Sequence, residues 1–580
     1  MKNIFYFLII SACLVSPAYA ANRDTTLITP FEWSNGMRTA TYTEMVAFYK
    51  RLQMTYTTIS VGDMGPTDNG YPLRSVSFTK DGKFEKEDMR GSNKLVIMVN
   101  NDIHPGEPDG VDASMMLLRD AAMGKIDVPD NVMLVVVPMY NIGGAQNRNS
   151  YSRANQNGPE SYGFRGNSRN LDLNRDFVKC DAAETIGFED LFTTMNPDIF
   201  IDNHVSDGAD YQHIMTLIAT QHDKLGGATG AYMYSTFTPL LYKEMKDKGY
   251  DLVPYVNDFD KTPESGWREF YESPRYSSGY AALYQTMAFV PETHMLKPFK
   301  DRVKATYELM ATFIKTGAAN AAEIKRVRAE DRAAIQKQKE FALEWTVDTT
   351  RCDSIIFKGY ESGYKPSEVS GQPRLYYDHD KPFTRKVPFY DYFVPGKTVT
   401  APRAYVIPKA WLSVINCLRA NNIKVQRLNY DSTLTVTAYH IDNYESANHP
   451  YEKHYLHKNV QVSTSKIRKR FSEGDYVVWL TQPAKRYLVE TLEPTGQDAF
   501  FAWNFFDGIL QQKEYFSAYV FEDIAAELLK KDPALKAQLD EKRNSDPAFA
   551  KDGAAQLDFV YRHSQYMEEE FLRYPVYRLE

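Results

Sequence analysis

The chain has 580 residues, of which 43% are hydrophobic and 25% charged, with a formal net charge of −7 and an isoelectric point of about 6.0. This is the composition of a globular protein, and the length predicts more than one domain. It excludes the basic surface that a nucleic-acid-binding protein would need. The many aromatic residues, 40 Tyr and 32 Phe, argue for packed, β-rich structure and against disorder.

The first twenty residues predict a secretory signal peptide. Lys2 gives a positive start, residues 4–15 form an apolar core, and Ala-Tyr-Ala at 18–20 is a small-x-small cleavage site. An exported protein, periplasmic or extracellular, is therefore expected. A lipoprotein box ending at Cys13 is a weaker alternative, because the apolar core before it would be very short. We predict no transmembrane segment, since no later apolar run is long enough to span a bilayer.

The cysteines do not predict a disulfide framework. The chain has four, and signal cleavage would remove Cys13, which leaves the widely separated Cys180, Cys352 and Cys417. They also form no cluster that would suggest a structural zinc site. A large hydrophobic core is expected to supply the stability.

Strand and helix patterns alternate from residue 42 onwards and predict an α/β domain. A turn-rich segment at 62–71 separates the first two strands. A long polar loop at 146–170 interrupts the later pattern, and a loop of that length inside a compact domain is usually functional. The predicted elements are a helix at 42–53, strands at 57–61, 73–79 and 94–100, a helix at 111–122, and strands at 132–140, 198–202 and 286–291.

The loop after the strand at 94–100 carries a possible metal-binding pair. His104 and Glu107 lie there three residues apart, and Pro108 opens the helix at 111–122. Ligands of open α/β sheets bind at such strand-to-helix transitions. A catalytic zinc usually takes three protein ligands and leaves one position to water, so a third ligand must come from elsewhere.

Two later strands end in residues that could complete such a site. His204 follows the strand at 198–202 and is the natural third ligand, although alone it would more often be a capped loop histidine. Glu292 follows the strand at 286–291, where partial desolvation should raise the pKa of its carboxyl group and suit it to act as a general base. His294 is a competing metal ligand, which we interpret as a structural or supporting residue.

Polar residues between the two histidines could bind a substrate carboxylate. Asn174 and Arg175 place an amide beside a guanidinium fork that can hold a carboxylate with two hydrogen bonds. Asp172 could accept the free N–H of a ligating histidine and fix its tautomer. Arg153 could supply a positive charge near a scissile carbonyl, with Arg148 as its rival. Arginines and asparagines in polar loops are also commonly just solvated.

Taken in series, these motifs resemble those of the zinc-carboxypeptidase family, the carboxypeptidase A-like peptidases. The matches are the segment His104-Pro-Gly-Glu107, the segment Asp172-Leu-Asn174-Arg175, His204 after a strand and Glu292 closing a later one. Each motif is weak alone, whereas four in the right order are strong. The resemblance covers roughly residues 25–320 and implies a mixed, helix-covered sheet with one zinc ion.

The resemblance implies a role for each matched residue. A tyrosine before the last strand usually closes over the substrate, and Tyr276 is favoured over Tyr271 and Tyr280. The implied roles are zinc ligation by His104, Glu107 and His204, proton transfer by Glu292, binding of the substrate C-terminal carboxylate by Asn174 and Arg175, and oxyanion stabilisation by Arg153.

The amino-acid pattern changes after residue 345, and the region that follows lies outside the resemblance. We predict a catalytic domain at 21–345, with closing and linking helices from about 301, and a β-rich C-terminal domain at 346–580 that ends in helices. Expected helices in the second domain are at 410–421, 522–531, 533–543 and 561–573.

The sequence therefore predicts a secreted zinc-dependent carboxypeptidase acting on peptide or protein C-termini, with cell-wall peptides as a variant substrate. A deacylase of N-acyl amino acids, or a related amidase, is the alternative. A binding protein with a decayed active site is less favoured, because every catalytic position is filled. The sequence predicts neither the oligomeric state nor the preferred terminal residue.

Overall fold

A computed structural model describes residues 27–84, 93–257 and 262–580. The predicted signal peptide and the alternative anchor at Cys13 lie outside these residues. Within them, no helix has the length and apolar character needed to cross a bilayer. The three cysteines in the described part of the chain are all free thiols.

An eight-stranded mixed sheet forms the centre of the first region. Its order is β1-β2-β4-β3-β5-β9-β6-β7. Strands β4, β3, β5 and β9 are parallel to one another, the pairs β1-β2, β2-β4 and β9-β6 are antiparallel, and β6-β7 is parallel. The strands are β1 (Ile59–Pro66), β2 (Pro72–Thr79), β3 (Leu95–Asn101), β4 (Val132–Val137), β5 (Ile199–Ser206), β6 (Met215–Ala219), β7 (Val253–Pro254) and β9 (Met287–His294), while β8 (Trp267–Arg268) pairs elsewhere.

Helices cover this sheet, and the predicted mixed α/β architecture is confirmed. The central strands β3 and β4 are nearly continuous apolar runs because side chains pack on both of their faces. The helices are α1 (Pro30–Trp33), α2 (Tyr42–Thr55), α3 (Asp109–Ala122), α4 (Ile142–Gln146), α5 (Ala183–Met195), α6 (His222–Leu225), α7 (Gly227–Tyr232), a π-helical turn (Met233–Phe237), α8 (Thr238–Asp247), α9 (Ser277–Ala282), α10 (Phe299–Ala319) and α11 (Ala321–Lys337).

Two strands run further than the sequence predicted. Strand β5 continues through His204, and β9 continues through Glu292, so that these two residues are register partners inside the parallel ladder. The polar side chains at these positions ended the predicted strands, but backbone pairing persists because the side chains are buried in a site rather than solvated. The antiparallel strand β6 was missed.

The region after residue 345 is rich in β-structure and ends in helices, as predicted. The last helix is Gly553–Arg562 rather than the predicted 561–573, and the linking helices predicted within 301–345 end at Lys337. The strands are β10 (Glu340–Ala342), β11 (Trp345–Val347), β12 (Asp353–Pro366), β13 (Pro373–Tyr390), β14 (Phe393–Pro395), β15 (Thr398–Thr400), β16 (Ala404–Ile407), β17 (Gln426–Arg427), β18 (Ser432–Ser446), β19 (His457–Phe471), β20 (Tyr476–Trp479) and β21 (Tyr577–Leu579). The helices are α12 (Leu412–Ala420), α13 (Lys485–Leu492), α14 (Ala518–Lys531), α15 (Pro533–Ser545) and α16 (Gly553–Arg562), and short 3₁₀ turns lie at Leu173–Arg175, Pro263–Ser265, Asp507–Leu510 and Phe549–Lys551.

The two regions share a buried interface. The hydroxyl of Tyr280 donates to the side-chain oxygen of Asn421 at 2.8 Å, and Arg486 donates to the carbonyl oxygen of Leu225 at 3.3 Å. Strand β8 of the first region pairs in parallel with β13 of the second. The division at residue 345 stays a proposal, and the second region is packed directly on the first.

Candidate metal and substrate site

Adjacent parallel strands bring the three predicted metal ligands together. The loop between β3 and α3 carries His104 and Glu107, and the neighbouring strand β5 carries His204. All three side chains are buried. Their ligand atoms lie within 4.8 Å of one another, and this is the one group of three or more such residues in the described ranges that could hold a metal ion.

Both imidazoles turn the same ring nitrogen toward Glu107. Nδ1 of His104 lies 3.2 Å from one carboxylate oxygen, and Nδ1 of His204 lies 3.1 Å from the other. The Nε2 atoms point outward to two aspartates, at 2.9 Å for Asp172 and 3.0 Å for Asp202. A carboxylate beside Nε2 keeps the proton on that atom and leaves the Nδ1 lone pair facing the centre.

These residues fit a zinc ion. The buried Nδ1 atom of His104 makes no hydrogen bond to any described residue, although it faces a carboxylate oxygen. A lone pair and an anionic oxygen facing each other in a buried site repel unless a metal ion or a proton lies between them. Two imidazole nitrogens and one carboxylate are a usual catalytic zinc set, which leaves a further position open. His104, Glu107 and His204 would hold the ion.

The charges around the centre also favour a cation. Burial alone would raise the pKa of Glu107, but Arg153, His104 and His204 together hold it well below its usual range. Burial would lower the pKa of His204, but Asp202 and Glu107 raise it well above the ordinary value. At His204, the two carboxylates thus outweigh the penalty that burial places on a positive charge.

The two candidate arginines of the long loop, Arg153 and Arg148, differ in position. Arg153 lines the cavity above the metal-binding group and donates through Nη2 to Glu107. Arg148 instead donates to the carbonyl oxygen of Ser161 at 2.6 Å and does not line the cavity. Of the two, only Arg153 lines this cavity.

Glu292 lies beside the metal-binding group, on β9 opposite His204. It lines the same cavity, and burial raises the pKa of its carboxyl group to about 8, with His204 opposing and Glu107 adding to the shift. His294 lies two residues further, where its Nε2 donates to the carbonyl oxygen of Ala209 at 3.0 Å. That bond makes it a structural histidine outside the metal-binding group.

The predicted carboxylate-binding pair lies in the 3₁₀ turn at Leu173–Arg175. Both Asn174 and Arg175 line the cavity. The side-chain oxygen of Asn174 accepts a hydrogen bond from the backbone N–H of Ser277 at 3.2 Å, which leaves its amide N–H₂ group available. The guanidinium carbon of Arg175 lies 4.4 Å from the ring centroid of Tyr276.

The three candidate tyrosines lie in different surroundings. Tyr276 lines the cavity. Tyr280 is fully buried in the core, and Tyr271 stacks on Phe393 at a centroid distance of 5.5 Å. Neither of these two lines the cavity, so only Tyr276 is placed to contact a substrate there.

The cavity that holds these residues has a volume of about 660 Å³. Three charged residues that the sequence analysis missed also line it: Arg165, Asp207 and Glu272. Arg165 donates through Nε to Asp172 at 3.0 Å, and the buried Glu272 accepts from the backbone N–H of Ser278 at 3.1 Å. Arg165 belongs to the long polar loop, which was a usable signal, whereas no pattern marked Glu272.

The second region also reaches the site. The loop between β18 and β19 carries Tyr451, whose hydroxyl oxygen accepts from Nε of Arg175 at 2.7 Å. The next residue, Glu452, accepts from the backbone N–H of Asp172 at 2.7 Å. Neither contact could be predicted, because the two regions are far apart in sequence and no motif links them.

Comparison with known proteins finds sequence relatives that are carboxypeptidases. The chain is 21% identical over 427 residues to carboxypeptidase 2 of Trichophyton rubrum, covering 70% of this chain and 73% of that protein. The Trichophyton equinum carboxypeptidase 2 is 20% identical over 427 residues, with the same coverage of both chains. No protein-family model matches.

Solved structures of carboxypeptidases also align with this chain, at low similarity. A metallo-carboxypeptidase from Burkholderia cenocepacia aligns with a TM-score of 0.36 and 16% identity, over 47% of this chain and 68% of that one. The carboxypeptidase A of Helicoverpa armigera aligns with a TM-score of 0.37 and 14% identity, over 49% and 74%.

The mixed sheet thus carries a buried His-Glu-His group that could hold a metal ion. The curated relatives are carboxypeptidases, which confirms the predicted resemblance to that class of enzyme.

Proposed function

We propose that this protein is an exported, zinc-dependent carboxypeptidase that removes C-terminal residues from peptides. One observation carries the proposal. A buried group of two imidazoles and a carboxylate shares one cavity with a carboxyl of raised pKa, Glu292, and with the amide-guanidinium pair Asn174 and Arg175. A metal ion, a base and a carboxylate anchor in one cavity are what the hydrolysis of a terminal peptide bond requires.

Substrate binding begins at the carboxylate anchor. Arg175 and Asn174 would hold the free C-terminal carboxylate, with the guanidinium fixed by Tyr451 and by the ring of Tyr276. A peptide without a free carboxylate would lose these charge-assisted contacts, so the pair favours exopeptidase substrates. Arg153, which donates to Glu107, would lie near the scissile carbonyl.

The chemical step then depends on proton transfer by Glu292. Zinc, when bound, supplies a Lewis acid that polarises the scissile carbonyl and lowers the pKa of a water molecule. Glu292 would accept the proton of the attacking water and pass it to the leaving amine. Its raised pKa suits both halves of this transfer near neutral pH. Arg153 would stabilise the negative charge that develops on the carbonyl oxygen.

Export and substrate choice follow from separate features. The signal-peptide pattern in residues 1–20 supports a periplasmic or extracellular enzyme. Extracellular peptides, including those of cell walls, are then the accessible substrates. The fungal relatives are carboxypeptidases, which agrees with a peptide substrate.

The decisive experiment replaces the proposed base. Glu292→Gln should lower kcat on an N-blocked dipeptide by about 10²- to 10⁴-fold while metal content, measured by mass spectrometry, stays unchanged. Glu160→Gln, an exposed site outside the cavity, is the matched control and should behave as the wild type. Unchanged turnover in Glu292→Gln would remove this residue from its role.

The same assay separates the main alternative. An N-blocked dipeptide and an N-acyl amino acid are offered to the wild-type enzyme, with and without a chelator. The proposed function requires chelator-sensitive release of the terminal residue from the peptide. Faster turnover of the N-acyl amino acid would instead establish a deacylase.

A further inference from the structure

A second cavity lies against the wall of the first. It has a volume of about 410 Å³, and three residues line both cavities: Ile218, Tyr255 and Phe270. The rings of Tyr255 and Phe270 meet edge to face, with centroids 5.9 Å apart. A thin, largely aromatic partition thus separates the substrate cavity from a neighbouring compartment.

Most of the second cavity has an apolar lining. Leu217 and Met233 contribute buried aliphatic surface, and Phe389 and Tyr242 add aromatic surface. Such walls favour the apolar body of a small organic ligand.

Three acidic side chains break this apolar lining: Glu269, Asp353 and Asp391. Both oxygens of Asp353 already accept hydrogen bonds, from the hydroxyls of Tyr234 and Tyr392, which leaves Glu269 and Asp391.

Glu269 and Asp391 follow the paired strands β8 and β13, where the register sets Arg268 opposite Tyr390, so the two acids are the next residues on neighbouring strands. The backbone N–H of Glu269 donates to the carbonyl oxygen of Tyr390 at 2.9 Å. The fold therefore places two carboxyl groups side by side at this wall.

Neither carboxyl group is fully satisfied. Asp391 is only 5% exposed, and its Oδ1 atom has no hydrogen-bond partner in the described parts of the chain. The Oε2 atom of Glu269 is buried and likewise unpartnered. A buried polar group without a partner is costly, and such groups in native proteins commonly mark ligand sites.

The surrounding charges do not compensate these acids. Burial, together with the negative charge of Asp353, raises the pKa of Asp391 to about 7. Burial and the neighbouring Asp391 raise the pKa of Glu269 well above its usual range. The guanidinium of Arg351, the cation that acts on Asp391, is stacked on the ring of Tyr392 at 3.7 Å. A cationic ligand would stabilise the ionised form of these two acids and would supply donors to their unpartnered oxygens.

The donor set favours an organic cation over a metal ion. Within the described residues, the one three-residue group able to hold a metal is the His-Glu-His group of the first cavity. An ammonium or guanidinium group instead needs only two acceptor oxygens at one end and apolar surface for the rest of the molecule.

We propose that the second cavity binds an ammonium or guanidinium group carried on an apolar body, with Glu269 and Asp391 as its acceptors. This site goes beyond the proposed peptidase reaction and does not depend on it. The cation could come from a free amine or from a side chain of a peptide held in the first cavity, because the two compartments share a wall. Both sources present the same chemistry to the two acids.

Direct binding tests the site without any assay of activity. Phenethylammonium is titrated into the full chain by calorimetry, in parallel with the neutral isostere 2-phenylethanol. The ammonium should bind at least about tenfold more tightly than the alcohol, because only the cation can pair with the acids. Glu269→Gln and Asp391→Asn should each remove most of this difference, whereas the exposed controls Glu368→Gln and Asp380→Asn should retain it.

A second experiment, a kinetic comparison of peptide pairs, identifies the source of the cation. Peptide pairs that differ only by Lys or norleucine, at successive positions from the C-terminus, are compared by kcat/KM in the wild type and in Glu269→Gln. A preference for Lys that Glu269→Gln abolishes would assign the cation to the substrate. Equal rates together with tight binding of phenethylammonium would assign it to a free amine.

The proposal is overturned if the ammonium and the alcohol bind the wild type equally, or if both acid variants bind phenethylammonium as the wild type does. Melting temperatures establish that each variant is folded. If one variant does not fold, the other variant and the ammonium-to-alcohol comparison in the wild type still decide the result.

Discussion

Nε of Arg175 donates a hydrogen bond of 2.7 Å to the phenol oxygen of Tyr451, which lies 276 positions further along the chain. Nη1 of the same guanidinium donates to the carbonyl oxygen of Asn174 at 2.8 Å. Two of the donor atoms of the guanidinium are thus occupied in fixing its plane, and Nη2 remains to meet a substrate. The proposed carboxylate anchor is therefore held in place by the second region.

This contact predicts that Tyr451→Phe weakens substrate binding. Loss of a hydrogen bond to a charged group is expected to cost about 1.5 kcal/mol, which corresponds to a rise in KM of roughly tenfold. The value of kcat should change little, because Tyr451 does not line the substrate cavity. Steady-state kinetics on an N-blocked dipeptide measure both parameters.

Tyr455→Phe is the matched control for this substitution. Tyr455 lies on the same loop, but its side chain is 51% exposed and lines no part of the substrate cavity. Its variant should match the wild type in KM. If Tyr451→Phe also retains the wild-type KM, the second region does not position the anchor.

The metal-binding group was predictable because each ligand follows an apolar strand. Parallel strands end at the same edge of a sheet, so His104 and His204 could be expected to meet although a hundred residues separate them. The helix at 42–53 and the strand at 73–79 were likewise close to α2 and β2, because their apolar periodicity is regular.

The contributions of the second region could not be predicted in the same way. Tyr451 and Glu452 each make a single hydrogen bond across the interface between the two regions. Such contacts leave no periodic pattern or local motif in the sequence. The ends of β5 and β9 were misjudged for a related reason. Polar residues usually end a strand at the surface, but His204 and Glu292 are polar residues buried by a site.

Asp172 and Asp202 should control metal affinity without binding the metal. Each accepts a hydrogen bond from Nε2 of a ligating histidine and so directs the Nδ1 lone pair inward. Asp172→Asn and Asp202→Asn are each expected to weaken zinc binding by about 10- to 100-fold. Competition with a fluorescent chelator measures the affinity. Zinc affinity equal to that of the wild type in both variants would contradict this positioning role.

Removal of the metal should destabilise the protein. The three ligands come from separate segments, and the buried Nδ1 of His104 has no other partner among the described residues. A ligand present at a hundredfold excess over its Kd stabilises the folded state by about 2.7 kcal/mol. Dialysis against a chelator should therefore lower the melting temperature, and added zinc should restore it.

His104→Ala provides the comparison for the chelator experiment. This variant lacks one ligand, so its melting temperature should respond weakly to chelator and to zinc. A response as large as that of the wild type would place the stabilising metal somewhere other than this site.

The paired acids of the second cavity predict a pH dependence of stability. The pKa of Asp391 rises from 3.8 to about 7 on folding, chiefly through burial. Between these pH values the folded protein keeps a proton that the unfolded chain has released. The free energy of unfolding should therefore fall as pH rises through this window, and Glu269, whose pKa is also raised, adds a fall in the same direction.

Asp391→Asn isolates this effect, because an amide carries no titrating proton. Urea unfolding at about pH 5 and about pH 8 should show a smaller loss of stability in Asp391→Asn than in the wild type. The exposed variant Asp380→Asn should follow the wild type at both pH values. The wild type and Asp391→Asn could instead lose the same free energy of unfolding between the two pH values. That result would mean that the carboxyl group of Asp391 has the same pKa in the folded and unfolded chains. In that case the group would be solvated rather than desolvated at the cavity wall.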